Sequence, residues 1–147
     1  MTLAREDHYR KLERMYLAAP VTRWYGGIGI AVADGAAQVT IAVREELFHA
    51  AGAVHGSVYF RALDDAAFFA ANSRVEETLV LTVSFHLHLT RPVSAGTLRS
   101  TARVIHESGR LLLAEAELAD DDGRLLAKGS GTFSRSNIAL RPEIGYA

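Results

Sequence analysis

The clearest pattern of apolar and polar positions covers the segment TLVLTVSFHLHLT, from Thr78 to Thr90. Apolar and polar residues alternate along it, and Val80 is the one exception. A period of two predicts a β-strand with one face on the core. That apolar face consists of Leu79, Leu81, Val83, Phe85, Leu87 and Leu89. The opposite face, which carries Thr82, is expected to point away from the core.

A second segment, HGSVYFRALDDAAFFAAN, begins at His55 and is apolar on nearly all sides. This pattern predicts a buried helix over about 56–72. Its five alanines would let neighbouring strands approach closely. Two adjacent aspartates, Asp64 and Asp65, lie in its middle, and a buried carboxylate costs free energy unless a partner compensates it.

Weaker patterns supply the remaining elements. They are a helix over about 5–17 ended by Pro20, two strands over about 23–33 and 37–43, and three strands over about 96–106, 111–119 and 125–134. The apolar helix has no polar face for water, and only short turns join the strands that follow it. We therefore expect an α+β fold in which a curved antiparallel sheet wraps around one long central helix. The domain division is an N-terminal helical segment (1–20), a main domain (21–136) and a C-terminal tail (137–147).

The composition narrows the class of protein. A chain of 147 residues with a net charge of −1 is one globular domain without the basic surface of a nucleic-acid-binding protein. It has no cysteine, which excludes disulfides and thiolate chemistry. Neither a membrane-spanning run nor a secretory signal is present. We therefore expect a cytoplasmic protein that binds neither nucleic acid nor membrane.

Adjacent positions in a helix diverge by about 100°, so Asp64 and Asp65 are expected to have different roles. One is expected to be a functional carboxylate in a pocket. The other would be a surface residue or would pair with a cation, for which Arg61 is the nearest candidate. Carboxylates held against apolar walls have shifted pKa values, which makes them candidates for function.

The start of the same helix supplies a second candidate group. Gly56 stands where backbone N–H groups are unpaired and the helix dipole is positive, so its amide could hold an oxyanion or polarise a carbonyl. Ser57 is either part of that site or an N-cap. Gly56 and Asp64 are about 12 Å apart along one helix. If both act on one carbonyl, they must come from two subunits.

These residues resemble a known family. HGSVYFRALDDA is similar to the His-Gly-Gly signature, with an acid nine positions after the His, of hotdog-fold acyl-CoA thioesterases of the phenylacetyl-CoA thioesterase-like group. The resemblance covers about 20–135 and selects Asp64, which is nine positions after His55. It implies a hotdog fold, acyl-CoA as substrate, no cofactor, and a homodimer or homotetramer with sites at the subunit interface. The implied reaction is thioester hydrolysis to free acid and CoA.

The resemblance also implies roles for single residues. Gly56 would polarise the thioester carbonyl, and Asp64 of the opposing subunit would act as general base or nucleophile. His49 stands where the family has Asn, and Thr82 matches a hydroxyl that orients water. His55 would support the turn. Ser57 replaces the second glycine of the signature, and Thr82 would reach the site only through the dimer if it faces away from the helix.

CoA carries phosphates, so basic residues are expected at the mouth of the site. The candidates for substrate and CoA binding are Ser57, Arg91, Arg103 and Arg110, and Arg99 shares a strand face with Arg103. Each of these arginines also fits an ordinary solvated surface.

Three alternatives stay open. His86 and His88 form an H-x-H pair that can bind a metal, but no further ligand has a diagnostic spacing, so no metal site is predicted. A hotdog hydratase or dehydratase would use His55 or His49 with an acidic partner. A non-catalytic acyl-CoA-binding module would bind CoA without releasing thiol.

Overall fold

The computed structural model describes residues 2–147. The helices are α1 (Leu3–Ala18) and α2 (Gly56–Asn72). The strands are β1 (Ile28–Ala33), β2 (Ala36–Ala42), β3 (Thr78–Leu89), β4 (Thr97–Glu107), β5 (Leu111–Ala119) and β6 (Leu125–Ala139). Short 3₁₀ turns lie at Pro20–Trp24, Glu45–Leu47 and Pro142–Ile144.

The six strands form one antiparallel sheet in the order β1-β2-β4-β5-β6-β3. Helix α2 packs against all of them, because the sheet curves around it. The alanines of α2 permit this close approach, and all five are fully buried: Ala62, Ala66, Ala67, Ala70 and Ala71. The predicted α+β fold with a curved sheet around one central helix is confirmed.

Strand β3 changes its inward face part-way along, which the alternation pattern did not predict. The register against β6 shifts between Thr82 and Ser84, so Val83 lies in a bulge. Before the bulge Val80 is fully buried, whereas Leu81 is 45% and Val83 is 61% exposed. The prediction that Thr82 faces away from the helix is therefore wrong: Val80 and Thr82 face α2, and after the bulge Phe85 takes over that face. A one-residue bulge inverts the period-two pattern.

The N-terminal part of the sheet begins later than predicted. The chain forms a 3₁₀ turn at Pro20–Trp24 instead of a strand from 23, and β1 starts at Ile28. Helix α1 then covers the outer edge of β1. Glu13 Oε1 accepts a hydrogen bond of 2.8 Å from Val32 N–H, and Arg10 donates one of 2.7 Å to Val32 O. Both backbone groups of Val32 on this edge of the sheet are therefore satisfied by side chains of α1.

The two ends of the chain pack on the same core. Tyr9 and Leu12 of α1 are buried in it, and His8 contacts both Tyr146 and the backbone of Asn72. Strand β6 continues to Ala139, beyond the predicted start of the tail at 137. The three-part domain division itself stays a prediction. Within residues 2–147, no helix is long and apolar enough to cross a membrane.

Candidate active site

Helix α2 and strand β3 lie side by side in opposite directions. Their contacts pair Gly56 with Leu89, Phe60 with Phe85, and Asp64 with Thr82. The approach at the first contact is close, since a Cβ on Gly56 would lie 3.3 Å from Leu89 Cδ2. Asp64 of α2 therefore lies against β3 at the end of this row that is farthest from Gly56.

Asp64 is partly buried, and its Oδ1 accepts a hydrogen bond of 3.0 Å from Thr82 Oγ1. Burial raises the pKa of the Asp64 carboxyl to about 6, and the nearby Asp65 adds to this increase, while the hydrogen bond from Thr82 and the charge of Arg61 oppose it. A carboxylate with such a pKa accepts a proton readily near neutral pH yet is still mostly ionised there.

Asp65 has a different environment. Its Oδ2 accepts hydrogen bonds from Tyr16 Oη at 2.6 Å and from Arg61 Nε at 2.5 Å. The Arg61 guanidinium also lies over the ring of Tyr25, 4.7 Å from its centroid. The prediction that Arg61 pairs with one of the two aspartates is confirmed, and the functional role of the other stays a prediction. Asp65 connects α2 to α1, whereas Asp64 faces β3.

At the start of α2, His55 is the N-cap residue. Its Nδ1 accepts a hydrogen bond of 3.0 Å from Ser57 N–H and lies 2.8 Å from Ser57 Oγ. The reading of Ser57 as the N-cap is therefore wrong, because His55 takes that position. The N–H of Gly56 makes no hydrogen bond to residues 2–147, so it is available to an acceptor from outside the chain.

The other predicted site residues are spread over the molecule. His49 is exposed in the loop before α2, and its Nδ1 accepts a hydrogen bond of 3.1 Å from Ala51 N–H. Arg91 is exposed just after β3, and its carbonyl accepts a hydrogen bond from Tyr59 Oη near the start of α2. Neither side chain contacts Asp64 in the same chain, so their predicted roles stay predictions.

Arg103 and Arg110 lie farther from α2. Arg103 is on the outer face of β4, where Glu115 Oε1 accepts hydrogen bonds of 2.9 and 2.6 Å from its guanidinium. Arg110 is exposed in the turn between β4 and β5. The charge of Arg103 is already paired, which weakens the case for phosphate binding there.

The sequence reasoning missed a basic and aromatic cleft beside the start of α2. The cleft has a volume of about 890 Å³, and its lining includes Arg23, Trp24, Arg44, His55 and Ser57. Glu46 also lines it, and its carboxylate lies 3.9 Å from the Arg44 guanidinium, so one of the two positive charges is loosely paired. The Trp24 indole is 77% exposed, and Arg44 donates a hydrogen bond of 3.0 Å to its carbonyl. The RWY triplet was the sequence feature that could have indicated this cleft. Its assignment to a strand gave no reason to place it beside the start of α2.

A second cleft, largely apolar and of about 710 Å³, lies at the other end of the row of contacts. Phe68, one turn after Asp64, and Leu79 of β3 form one wall. Met15, Phe69 and Ile138 are also part of the lining. The apolar cleft therefore begins one helical turn after Asp64, whereas the neighbours of Gly56 on both sides, His55 and Ser57, line the basic cleft.

Comparison with known proteins identifies the family of this chain. The family model of the thioesterase superfamily matches residues 51–127, which include all of α2 and β3. The chain belongs to the thioesterase superfamily. Its fold is the hotdog fold, and the predicted membership in the hotdog thioesterases of the PaaI type is confirmed, since PaaI of Thermus thermophilus matches with a TM-score of 0.72 at 26% identity over 80% of this chain and 100% of that one. This supports thioester hydrolysis in general as the chemistry of the site.

Three relatives illustrate the similarity. The "Putative esterase Rv1847" of Mycobacterium tuberculosis is 32% identical over 113 residues, 74% of this chain and 79% of that protein. Its solved structure has a TM-score of 0.74 at 26% identity, covering 84% of this chain and 100% of that one. PaaI of E. coli, from the phenylacetic acid degradation operon, has a TM-score of 0.82 at 22% identity, with 92% and 97% covered. Thioesterase HI1161 of Haemophilus influenzae has a TM-score of 0.78 at 20% identity, with 88% and 91% covered. At 22% and 20% identity, the PaaI and HI1161 structures show only that the fold is shared.

Proposed function

We propose that this protein hydrolyses acyl-CoA thioesters to the free acid and CoA, in sites shared by two subunits. The observation that carries the proposal is the Asp64 carboxylate, which accepts a hydrogen bond from Thr82 and has a pKa of about 6, one helical turn before Phe68 in the wall of the apolar cleft. A general base with this pKa can activate water near neutral pH.

The open edge of the sheet supports assembly with a second copy. Within residues 2–147, side chains of α1 hydrogen-bond to the backbone of Val32 at the β1 edge, whereas β3 pairs only with β6. Its other edge carries exposed Leu81, Val83 and Leu89. A long apolar edge strand of this kind pairs readily with another strand. Antiparallel pairing of two β3 strands would give a homodimer, and two such dimers would give a homotetramer.

The contacts between α2 and β3 set the register of this pairing. Gly56 lies against Leu89, and Asp64 lies against Thr82. For Gly56 of one subunit to approach Asp64 of the other, Leu89 must lie roughly opposite Thr82 across the interface. The two-fold axis then crosses β3 midway between these positions, close to His86.

In the resulting site the thioester carbonyl oxygen accepts a hydrogen bond from Gly56 N–H at the positive end of α2. Asp64 of the other subunit takes a proton from water as the water oxygen attacks the carbonyl carbon. The negative charge that develops on the carbonyl oxygen is stabilised by the Gly56 amide. Collapse of the tetrahedral intermediate breaks the C–S bond, and CoA leaves as the thiolate.

The two clefts fit the two parts of the substrate. Arg23 and Arg44 supply positive charge for the CoA phosphates, and the exposed Trp24 indole offers a surface on which adenine can stack. The apolar cleft beside Phe68 would take the acyl group. Arg91 and Arg110 stay proposals as further phosphate contacts, whereas the pairing of Arg103 with Glu115 makes Arg103 the least suited of the three predicted arginines.

The hydratase alternative receives less support. That chemistry needs a histidine with an acidic partner. Within residues 2–147 the hydrogen-bond partners of His55 and His49 are Ser57 and the Ala51 amide, and neither ring contacts a carboxylate.

Thiol release from a panel of short, medium, long and aryl acyl-CoAs tests the proposal. We expect release by the wild type and a loss of at least about 100-fold in kcat for Asp64→Asn, because the general base is removed. If CoA raises the melting temperature but no acyl-CoA releases thiol, the protein is a binding module and the proposal is wrong.

A further inference from the structure

His86 and His88 form a pair that the proposed reaction does not use. Both lie on β3 after the bulge, on the outer face of the sheet opposite to α2. Their Nε2 atoms lie 3.2 Å apart, within hydrogen-bond distance when one of the two carries a proton, and both side chains are exposed. Two imidazole nitrogens bound to one tetrahedral Zn²⁺, each about 2.0–2.1 Å from the metal, lie about 3.3 Å apart. The pair therefore has the spacing of a metal chelate.

One chain does not supply enough ligands to complete such a site. Within residues 2–147, no group of three or more His, Cys, Asp or Glu side chains is arranged to hold a metal. Across the sheet, His86 lies opposite Ser130 and His88 lies opposite Lys128. The Lys128 ammonium is itself paired with Glu117 at 3.0 Å. Further ligands must therefore come from the other side of β3, which is the open edge.

The dimer described above would bring a second pair to that edge. Its axis crosses β3 close to His86, because Leu89 of one copy faces Thr82 of the other. Antiparallel pairing keeps the outer faces of both strands on the same side, and directly opposed residues have Cβ atoms about 4.5–5.5 Å apart. The two His86 side chains would be near neighbours, each with its own His88 beside it.

We propose that His86 and His88, together with the same two residues of a second copy, bind one zinc ion on the two-fold axis of the dimer. The inference rests on the antiparallel β3 pairing in the proposed function. Four imidazole nitrogens match the coordination number and ligand type that zinc accepts. The ion would act as a clasp between subunits, on the face of the sheet opposite to the reacting groups.

The test uses the full chain freed of metal by a chelator. Zinc titration by calorimetry, together with the visible absorption of the Co²⁺-loaded protein, measures stoichiometry and geometry. We expect one zinc per two chains, a Kd below about 10 µM, and the intense bands of tetrahedral Co²⁺. Zinc should also keep the dimer intact at dilutions at which the metal-free protein dissociates, because a ligand bound only by the dimer stabilises it.

The variant that removes the pair is His86→Gln with His88→Gln, and His106→Gln, an exposed histidine on β4, is the matched control. Affinity should fall at least about 100-fold in the double variant and stay unchanged in the control. Binding of one ion per chain, or equal affinity in the double variant, would overturn the shared site. Thiol release should be unchanged in the double variant. If the wild-type protein releases thiol but binds no zinc, only the clasp is contradicted, whereas a wild-type protein that binds zinc but releases no thiol contradicts only the thioesterase.

Discussion

The Thr82 hydroxyl on β3 donates a hydrogen bond of 3.0 Å to Asp64 Oδ1 on α2 of the same chain. This contact exists because the bulge at Val83 turns Thr82 toward the helix while Phe85 still faces the core. Without the extra residue, one of the two would point to the outer face of the sheet. The bulge therefore places a polar group at the carboxylate without interrupting the apolar packing on either side.

Replacement of Thr82 by Val should change the pH dependence of the reaction. The Thr82 hydrogen bond lowers the pKa of Asp64, so its removal should raise that pKa above about 6. The acid limb of the kcat profile should shift upward by about 1 unit, with most activity retained at pH 8.5. Thr82→Ser keeps the hydroxyl and serves as control. An unchanged acid limb in Thr82→Val would show that Asp64 is not the titrating group.

Asp64→Asn should make the protein more stable while it abolishes activity. The folded-state pKa of about 6 exceeds the ordinary 3.8, so ionised Asp64 destabilises the folded chain. The cost is absent below about pH 4, grows as the pH rises from 4 to 6, and is complete above that. Allowing for partial exposure, thermal or urea unfolding at pH 8 should show a gain of about 1–2 kcal/mol. The gain should disappear at pH 4, and a gain that is equal at both pH values would contradict the assignment.

Asp65→Asn should show the opposite behaviour, with stability lost and chemistry kept. The substitution leaves the Arg61 guanidinium, whose side chain is 12% exposed, without its carboxylate. We expect a loss of about 2–4 kcal/mol and a fall in Tm of about 5–15 °C. At 25 °C the folded variant should keep kcat within about tenfold of the wild type, since Asp65 is bound to Tyr16 and Arg61 and has no part in the proposed reaction.

The control for Asp65 is the double variant Arg61→Met with Asp65→Leu. It removes both charges and should be more stable than Asp65→Asn alone. The acid limb of kcat in Asp65→Asn should shift to lower pH, because Asp65 raises the pKa of Asp64 and Arg61 lowers it. Equal, mild losses of activity in Asp64→Asn and Asp65→Asn would overturn the different roles of the two aspartates.

The elements that could be predicted from sequence are those with a strong local pattern. The nearly all-apolar α2 and the alternation in β3 led to the correct fold. An element that is buried on all sides has a continuous apolar sequence, and a strand that is buried on one face has an alternating one. The start of β1 was misplaced because apolar and aromatic residues around Trp24 also suit a 3₁₀ turn. The only trace of the β3 bulge in the sequence is Val80, an apolar residue where the alternation would place a polar one. Val80 is buried because the inward-facing positions before the bulge are not those expected from the rest of the strand.

The parts of the site that lie on one helix were predictable, because the helix fixes their spacing. The parts that depend on contacts between distant segments were not. The distance between Gly56 and Asp64 follows from helix geometry alone. The N-cap role of His55, the contact of Thr82 with Asp64 and the covered β1 edge depend on packing between distant segments. The basic cleft around Arg44 likewise brings together residues before β1 and after β2.

The basic cleft provides a test of CoA binding. Arg23→Ala and Arg44→Ala should each raise KM for an acyl-CoA by about 5–50-fold with little change in kcat, because the phosphates are bound equally in the ground and transition states. Arg103→Ala is the matched control, since Glu115 already pairs its charge and KM should stay within about twofold. The salt dependence of KM should weaken in the Arg23 and Arg44 variants. A larger effect at Arg103 than at Arg44 would place the phosphates on the outer face of the sheet instead.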